Sequence, residues 1–126
     1  MFDYKIILLI GAGGFLGSVS RYIISQFVQN KMLSGFPYGT LAVNLIGSFL
    51  IGVVFALFEK GNISPEYRLF IATGILGGFT TFSAFSLDTL TLLQEGVYIE
   101  TTLYILISLI GGITLSFLGN LIIKTF

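Results

Sequence analysis

Cysteine, histidine and tryptophan are absent from this 126-residue chain, proline occurs twice, and only 10% of the residues are charged. Without cysteine there is neither a disulfide framework nor a thiolate metal site. Without histidine the commonest general base and metal ligand is gone. Six basic and six acidic residues give a formal net charge of zero, so no polybasic footprint points to nucleic acid or anionic lipid. The sequence offers no nucleophile–base pair, no metal cluster and no phosphate loop in an aqueous context, so an enzyme is not expected. A soluble domain carries roughly 25% charged residues; this chain is far below that.

What the chain has instead is apolar length. Hydrophobic residues make up 55% of it, and its mean hydropathy is +0.99. A membrane-spanning helix takes about 20 apolar residues. Four segments qualify, approximately Ile6–Val28, Tyr38–Phe58, Leu69–Leu93 and Tyr98–Ile123. The expected architecture is an all-α membrane protein, one four-helix transmembrane domain over residues 1–126. The connections Gln29–Pro37, Glu59–Arg68 and Gln94–Val97 are short, polar and turn-prone. Pro37 suits the first turn of the second helix, where its missing N–H costs nothing, and Ser64 before Pro65 suits a helix cap. A single basic residue, Lys5, precedes a long glycine-bearing apolar run, so the first segment is expected to be retained rather than cleaved as a signal peptide. Basic residues near the spans divide as Lys5, Lys60, Arg68 and Lys124 on one side against Arg21 and Lys31 on the other. So weak a bias permits insertion in both orientations and equally permits one orientation with the N-terminus in the cytoplasm.

The stretch from Gly74 to Ser86, GILGGFTTFSAFS, organises the rest. Gly77 and Gly78 lower helix propensity, and the β-branched Thr80 and Thr81 follow at once. A break near the middle of the third helix is therefore expected. In lipid such backbone persists only where it is buried in protein, binds an ion or lines a watery cavity, and discontinuous helices hold ions near the midplane in many transport proteins. Beyond the break, Phe82 and Phe85 alternate with Ser83 and Ser86. A ring has a negative face and a positive edge. Ring edges beside hydroxyls stabilise a small anion more weakly than a full positive charge does, a balance that conduction requires.

Other segments supply companions to that stretch. Thr40, Asn44 and Ser48 recur at i, i+4 and i+8, one polar stripe on an apolar helix. They are either interhelical hydrogen-bonding groups or a polar track that replaces the water lost by a permeating solute. Arg21 lies sixteen residues after Lys5, about 24 Å along a helix. That places it near a membrane face, as an interfacial anchor or as a cation at the mouth of an anion path. Gly13 and Gly17, with Gly14 and Ser18, and then Ser108, Gly112 and Ser116, are small-residue seams suited to packing within one chain or between two.

On these residues the chain resembles the Fluc/CrcB family of fluoride channels. The carrying motif is Gly77-Gly-Phe-Thr-Thr-Phe-Ser-Ala-Phe-Ser86, supported by Gly39-Thr-Leu-Ala-Val-Asn44 and by Arg21 after Gly17. The resemblance covers essentially the whole chain in length, span number and motif order. It implies an antiparallel, dual-topology homodimer in the inner (plasma) membrane, with two fluoride pathways. It also implies a structural sodium ion at the dimer centre, held by the backbone carbonyls of Gly77 and Thr80 of each subunit. Phe82 and Phe85 match the rings that line the anion path, Asn44, Thr40 and Ser83 match its polar groups, and Arg21 matches the vestibule arginine. Ser86 belongs to the same motif. Tyr104 and Ser108 fall where some relatives carry pathway hydroxyls. Ala84 departs from the family's pattern, since many relatives have threonine there and this chain lacks that hydroxyl.

Two other classes compete. A proton-coupled multidrug exporter of four short spans needs a titratable group inside the membrane, and Asp88 is the one carboxylate well within a span. The first helix, where such exporters keep theirs, has none, and there is no tryptophan for an aromatic substrate pocket. A purely structural membrane subunit would use the small-residue seams but has no need of irregular backbone at midspan.

Overall fold

A computed structural model describes residues 2–126. Among the described residues it contains four long helices and no strand: α1, Tyr4–Met32; α2, Tyr38–Glu59; α3, Pro65–Gln94; and α4, Tyr98–Thr125. All four are long and apolar enough to cross a membrane. The shortest, α2 with 22 residues, extends about 33 Å at 1.5 Å per residue. The helices run up to four residues past the apolar segments, as at Pro65 against Leu69 and Met32 against Val28, because a hydrogen-bonded ladder continues into polar sequence beyond the apolar core.

Caps fix the ends. Asp3 accepts a hydrogen bond from Lys5 N at 2.9 Å at the start of α1. Ser64 accepts from Tyr67 N at the start of α3, with Pro65 in the first turn. Pro37 stands one residue before α2 rather than inside it, and its carbonyl accepts the first helical bond from Leu41 N at 3.1 Å. One side chain closes the α1–α2 connection: Gln29 donates through Nε2 to Ser34 O and Phe36 O and accepts through Oε1 from Gly39 N. At the opposite end Glu59 and Lys124 form an ion pair at 2.7 Å between α2 and α4.

The helices pack as two close pairs, α1 with the first half of α3 and α2 with α4. Glycine makes both possible. A Cβ at Gly13 would lie 2.7 Å from Phe70 O, and one at Gly78 would lie 2.6 Å from Gly14 O. At Gly17 a Cβ would meet the Ile75 carbonyl and the Phe79 N–H. In the other pair, Gly52 faces the Ser116 backbone and Gly119 faces the Phe49 backbone. The small-residue seams of α1 and α4 thus serve contacts inside one chain. Backbones that approach this closely gain van der Waals contact, which is what holds helices together where lipid offers no hydrophobic drive.

The fully enclosed core is small. Val43 and Tyr104 are wholly buried, and Tyr104 joins Leu41 and Leu92, with Phe36, Leu45, Phe85 and Val97 against them. Many large apolar side chains point outward, among them Phe15, Ile23, Ile113 and Phe117.

Candidate functional site at Thr80 and Thr81

Along α3 the backbone changes character. One ordinary turn, Pro65–Arg68, leads into wide π-helical turns over Leu69–Leu76 and then a single α-turn, Gly77–Phe79. Thr80 (φ −90°, ψ 158°) and Thr81 (φ −152°, ψ 119°) are extended, and helix resumes at Phe82–Gln94. Gly77 and Gly78 remain helical, and the departure falls on the two β-branched residues, which favour extended backbone. Gly78 serves the close approach to α1 instead.

The backbone groups of Thr80 and Thr81 have identifiable partners. Thr80 sends both its N–H and its hydroxyl to Leu76 O, at 3.0 and 2.9 Å. The Asn44 amide, from α2, spans the Thr81 peptide groups: Oδ1 accepts from Thr81 N at 2.8 Å and Nδ2 donates to Thr81 O at 3.0 Å. The Thr81 hydroxyl accepts from Ala84 N at 3.1 Å, capping the helix that follows. Arg21 Nη1, from α1, reaches Thr80 O at 3.4 Å. An uninterrupted helix would give the Thr81 N–H to Gly77 O. Here Asn44 takes that N–H, so the Gly77 carbonyl loses its ordinary donor.

Two grooves meet at this point, and Thr81 lines both. One, of about 430 Å³, brings Arg21, Thr40 and Ser83 together with Tyr22 and Ser25. The other, of about 410 Å³, brings Asn44, Gly77, Thr80 and Phe82 together with Ser48. Ser83 Oγ stands 3.2 Å from Thr81 Oγ1, so one of these hydroxyls donates to the other across the junction. Phe82 is 76% exposed on this chain. Its ring centroid lies 5.5 Å from that of Phe85, tilted by 43°, and Phe85 in turn lies 5.3 Å from Tyr104, tilted by 40°. Neither pair is a parallel stack.

The remaining expected residues lie apart from the grooves. Ser86 donates to Phe82 O at 3.0 Å, one turn back on its own helix. Tyr104 is buried and its hydroxyl donates to Asp88 Oδ2 at 3.1 Å. The Ser108 hydroxyl is buried and has no hydrogen-bond partner among the described residues. Asn44, as a hydrogen-bonding group between helices, spends both ends of its amide on Thr81. Sequence reasoning did not assign Thr81 a role, although a threonine three residues before Ala84 in a resuming helix is a capping signal. It also did not place Ser25 beside Arg21, although the two stand one helical turn apart, and it did not pair Tyr104 with Asp88, a relation without a short-range signature.

Four helices of membrane-crossing length, with short connections among them, define a multi-pass membrane protein. Its family is the one described as CrcB-like protein, Camphor Resistance (CrcB), which matches residues 8–120, and the chain belongs to it. The chain is 51% identical over 112 residues to a protein of Thermus thermophilus named "Fluoride-specific ion channel FluC", covering 89% of this chain and 88% of that one. Proteins of the same name from Shewanella baltica (46% identical over 114 residues, 90% and 92% covered) and Chlorobium phaeobacteroides (45% over 122 residues, 96% and 94% covered) are similar to it along nearly their whole lengths.

Proposed function

We propose that this protein is a fluoride-selective ion channel that lets fluoride leave the cell passively, lowering its cytoplasmic level, and that it resides in the inner (plasma) membrane. The observation that carries this reading is the likeness, over about nine-tenths of both chains, to a relative named as a fluoride-specific channel. The site supports it chemically. Fluoride is small and strongly hydrated, so a path must offer substitutes for water without a trap. Ring edges of Phe82 and Phe85, with the hydroxyls of Ser83 and Thr40, supply weak positive poles and donors in sequence, and Ser86 would join them by turning its hydroxyl away from Phe82 O. The Arg21 guanidinium raises the local anion concentration beside Thr40 and Ser83. On α4 the Ser108 hydroxyl, buried and unpartnered among the described residues, would extend the hydroxyl series, whereas the Tyr104 hydroxyl is given to Asp88 and supports the Phe85 ring from behind.

In this reading two copies pair antiparallel about an axis in the membrane plane, each inserted in the opposite sense, with fluoride pathways on both sides. The near balance of flanking basic residues supports such insertion. A two-fold axis makes each contact count twice. It also brings the Gly77 and Thr80 carbonyls of both copies to one place, where a sodium ion would hold four oxygens. The residues fit that role in one respect on this chain: Gly77 O has lost its intrahelical donor to Asn44. Thr80 O accepts one long hydrogen bond, from Arg21 Nη1 at 3.4 Å. The ion supplies fixed positive charge that balances the carbonyl dipoles of non-helical backbone in lipid.

The test is fluoride efflux from proteoliposomes, with chloride as control and Phe82→Ile beside the parent. Fast fluoride efflux, little chloride efflux and loss in the variant are the expected results. Absence of fluoride flux from folded protein would overturn the reading.

A further inference from the structure

Asn44 bonds the N–H and the C=O of Thr81, one with each end of its amide, and this has a consequence four residues upstream. A buried N–H in lipid does not stay unpaired, so the Thr81 N–H has two available destinations. One is Gly77 O, which would extend the α-helix by one residue. The other is Asn44 Oδ1, which it takes at 2.8 Å. Asn44 Nδ2 also donates to Thr81 O, in the following peptide group, at 3.0 Å. Asn44, Gly77, Thr80 and Thr81 all line one groove.

Gly77 carries a second indication. Cβ atoms at Gly13, Gly74 and Gly78 would collide with neighbouring backbone, whereas one at Gly77 would meet only Ala72 O, at an ordinary 3.7 Å. Packing within this chain therefore does not call for glycine at 77, and the residue is exposed on one chain.

We propose that Asn44 is a positioning residue for the cation: by capturing the Thr81 N–H it keeps the Gly77 carbonyl unoccupied and available as an oxygen ligand. The inference rests on the sodium reading above. Asn44 touches neither ion in this role, and its effect passes through the Thr81 peptide.

The test uses the full-length protein purified without sodium. Its melting temperature is followed during titration with sodium chloride against N-methylglucamine chloride, and tightly retained sodium is assayed by flame emission. The parent is expected to gain stability with sodium or to retain the ion. Asn44→Ala is expected to need at least tenfold more sodium for half its effect, or to lose the retained ion. Asn44→Asp keeps an oxygen for the Thr81 N–H and is expected to keep the parent's response. A purely architectural Asn44 would lower the melting temperature equally in both salts and leave the sodium concentration for half-effect unchanged, which would overturn the inference alone. Loss of the response in Asn44→Asp would overturn it as well, and decides the matter if Asn44→Ala does not fold. A parent that neither responds to sodium nor retains it would overturn the cation reading, and the inference with it.

Discussion

The two halves of α3 are built for different purposes. From Leu69 to Phe79 the helix is pressed against α1, glycine to glycine, with Gly74, Leu76 and Phe79 buried. From Phe82 to Gln94 only Leu92 is buried, and the contacts are mainly with the start of α4. The first half gains its stability from close backbone contact. The second carries rings, hydroxyls and a carboxylate that the single chain leaves partly uncovered. Thr80 and Thr81 are the joint, and Asn44 and Arg21 attach that joint to α2 and α1. The second half leaves Phe82 exposed and sets Ser83 beside Arg21 and Thr40, whereas Ser86, Thr89 and Thr91 spend their hydroxyls on carbonyls of the same helix.

The strongest way to break this contrast is to attack the anchor. Gly17→Val places side-chain atoms against the Ile75 carbonyl and Phe79 N–H. Overpacking typically costs about 1–3 kcal/mol, and more where backbone is the obstacle. Loss of the monodisperse peak in size-exclusion chromatography is expected, whereas an equal change in the open second half, such as Leu87→Val, should leave the peak intact.

Phe82→Ile addresses the second half. Phe82 is largely exposed on one chain, so stability of the isolated fold should change little. Fluoride efflux should fall at least tenfold, equivalent to about 1.4 kcal/mol on the barrier. Efflux unchanged from the parent would remove Phe82 from the path.

At the joint itself, Asn44→Ala leaves both Thr81 groups in need of partners and should destabilise the protein by about 1–3 kcal/mol in sodium-free buffer. Chemical or thermal denaturation in detergent measures this. A melting temperature equal to the parent's would show that the Thr81 backbone repairs itself without cost.

Smaller effects sharpen the picture. Asp88→Asn retains an oxygen to accept from the Tyr104 hydroxyl, so the loss should stay near 1 kcal/mol and fluoride flux should persist. Abolished proton-driven drug uptake in that variant, with no fluoride flux in the parent, would favour the exporter class instead. Ala84→Thr restores a hydroxyl in the groove beside Arg21, Thr40 and Ser83. A rise in fluoride flux of about twofold, matching one weak hydrogen bond, would support the polar track, and no change would mark that hydroxyl as dispensable.

Much of the fold was legible because its signals are local. Apolar length set the number of helices, and Ser64 before Pro65 marked a start that the structure keeps. Pro37 was legible as punctuation but not to the residue, since a proline is compatible with both the cap and the first turn. The seams at Gly13 and Gly17 announced close packing without naming α3 as the partner, because spacing on one helix does not encode which neighbour it meets. The glycines at 77 and 78 and the threonines at 80 and 81 together suggested where regular helix ends, and of the four only the threonines are extended. Low glycine propensity is a weak prior, and the β-branched pair, held by the Asn44 amide at Thr81, decides the position instead.

The sequence by itself determined that this is a four-helix membrane protein with polar and aromatic groups concentrated near residues 77–86. Hydrophobic length and composition act through solvent transfer, which does not depend on the fold. Only the tertiary structure decided that Asn44 and Arg21, 37 and 59 residues away along the chain from their contacts, converge on Thr81 and Thr80. Those bonds are directional and short-ranged. They exist only after the helices have packed closely enough for a side chain on one to replace the backbone partner missing on another.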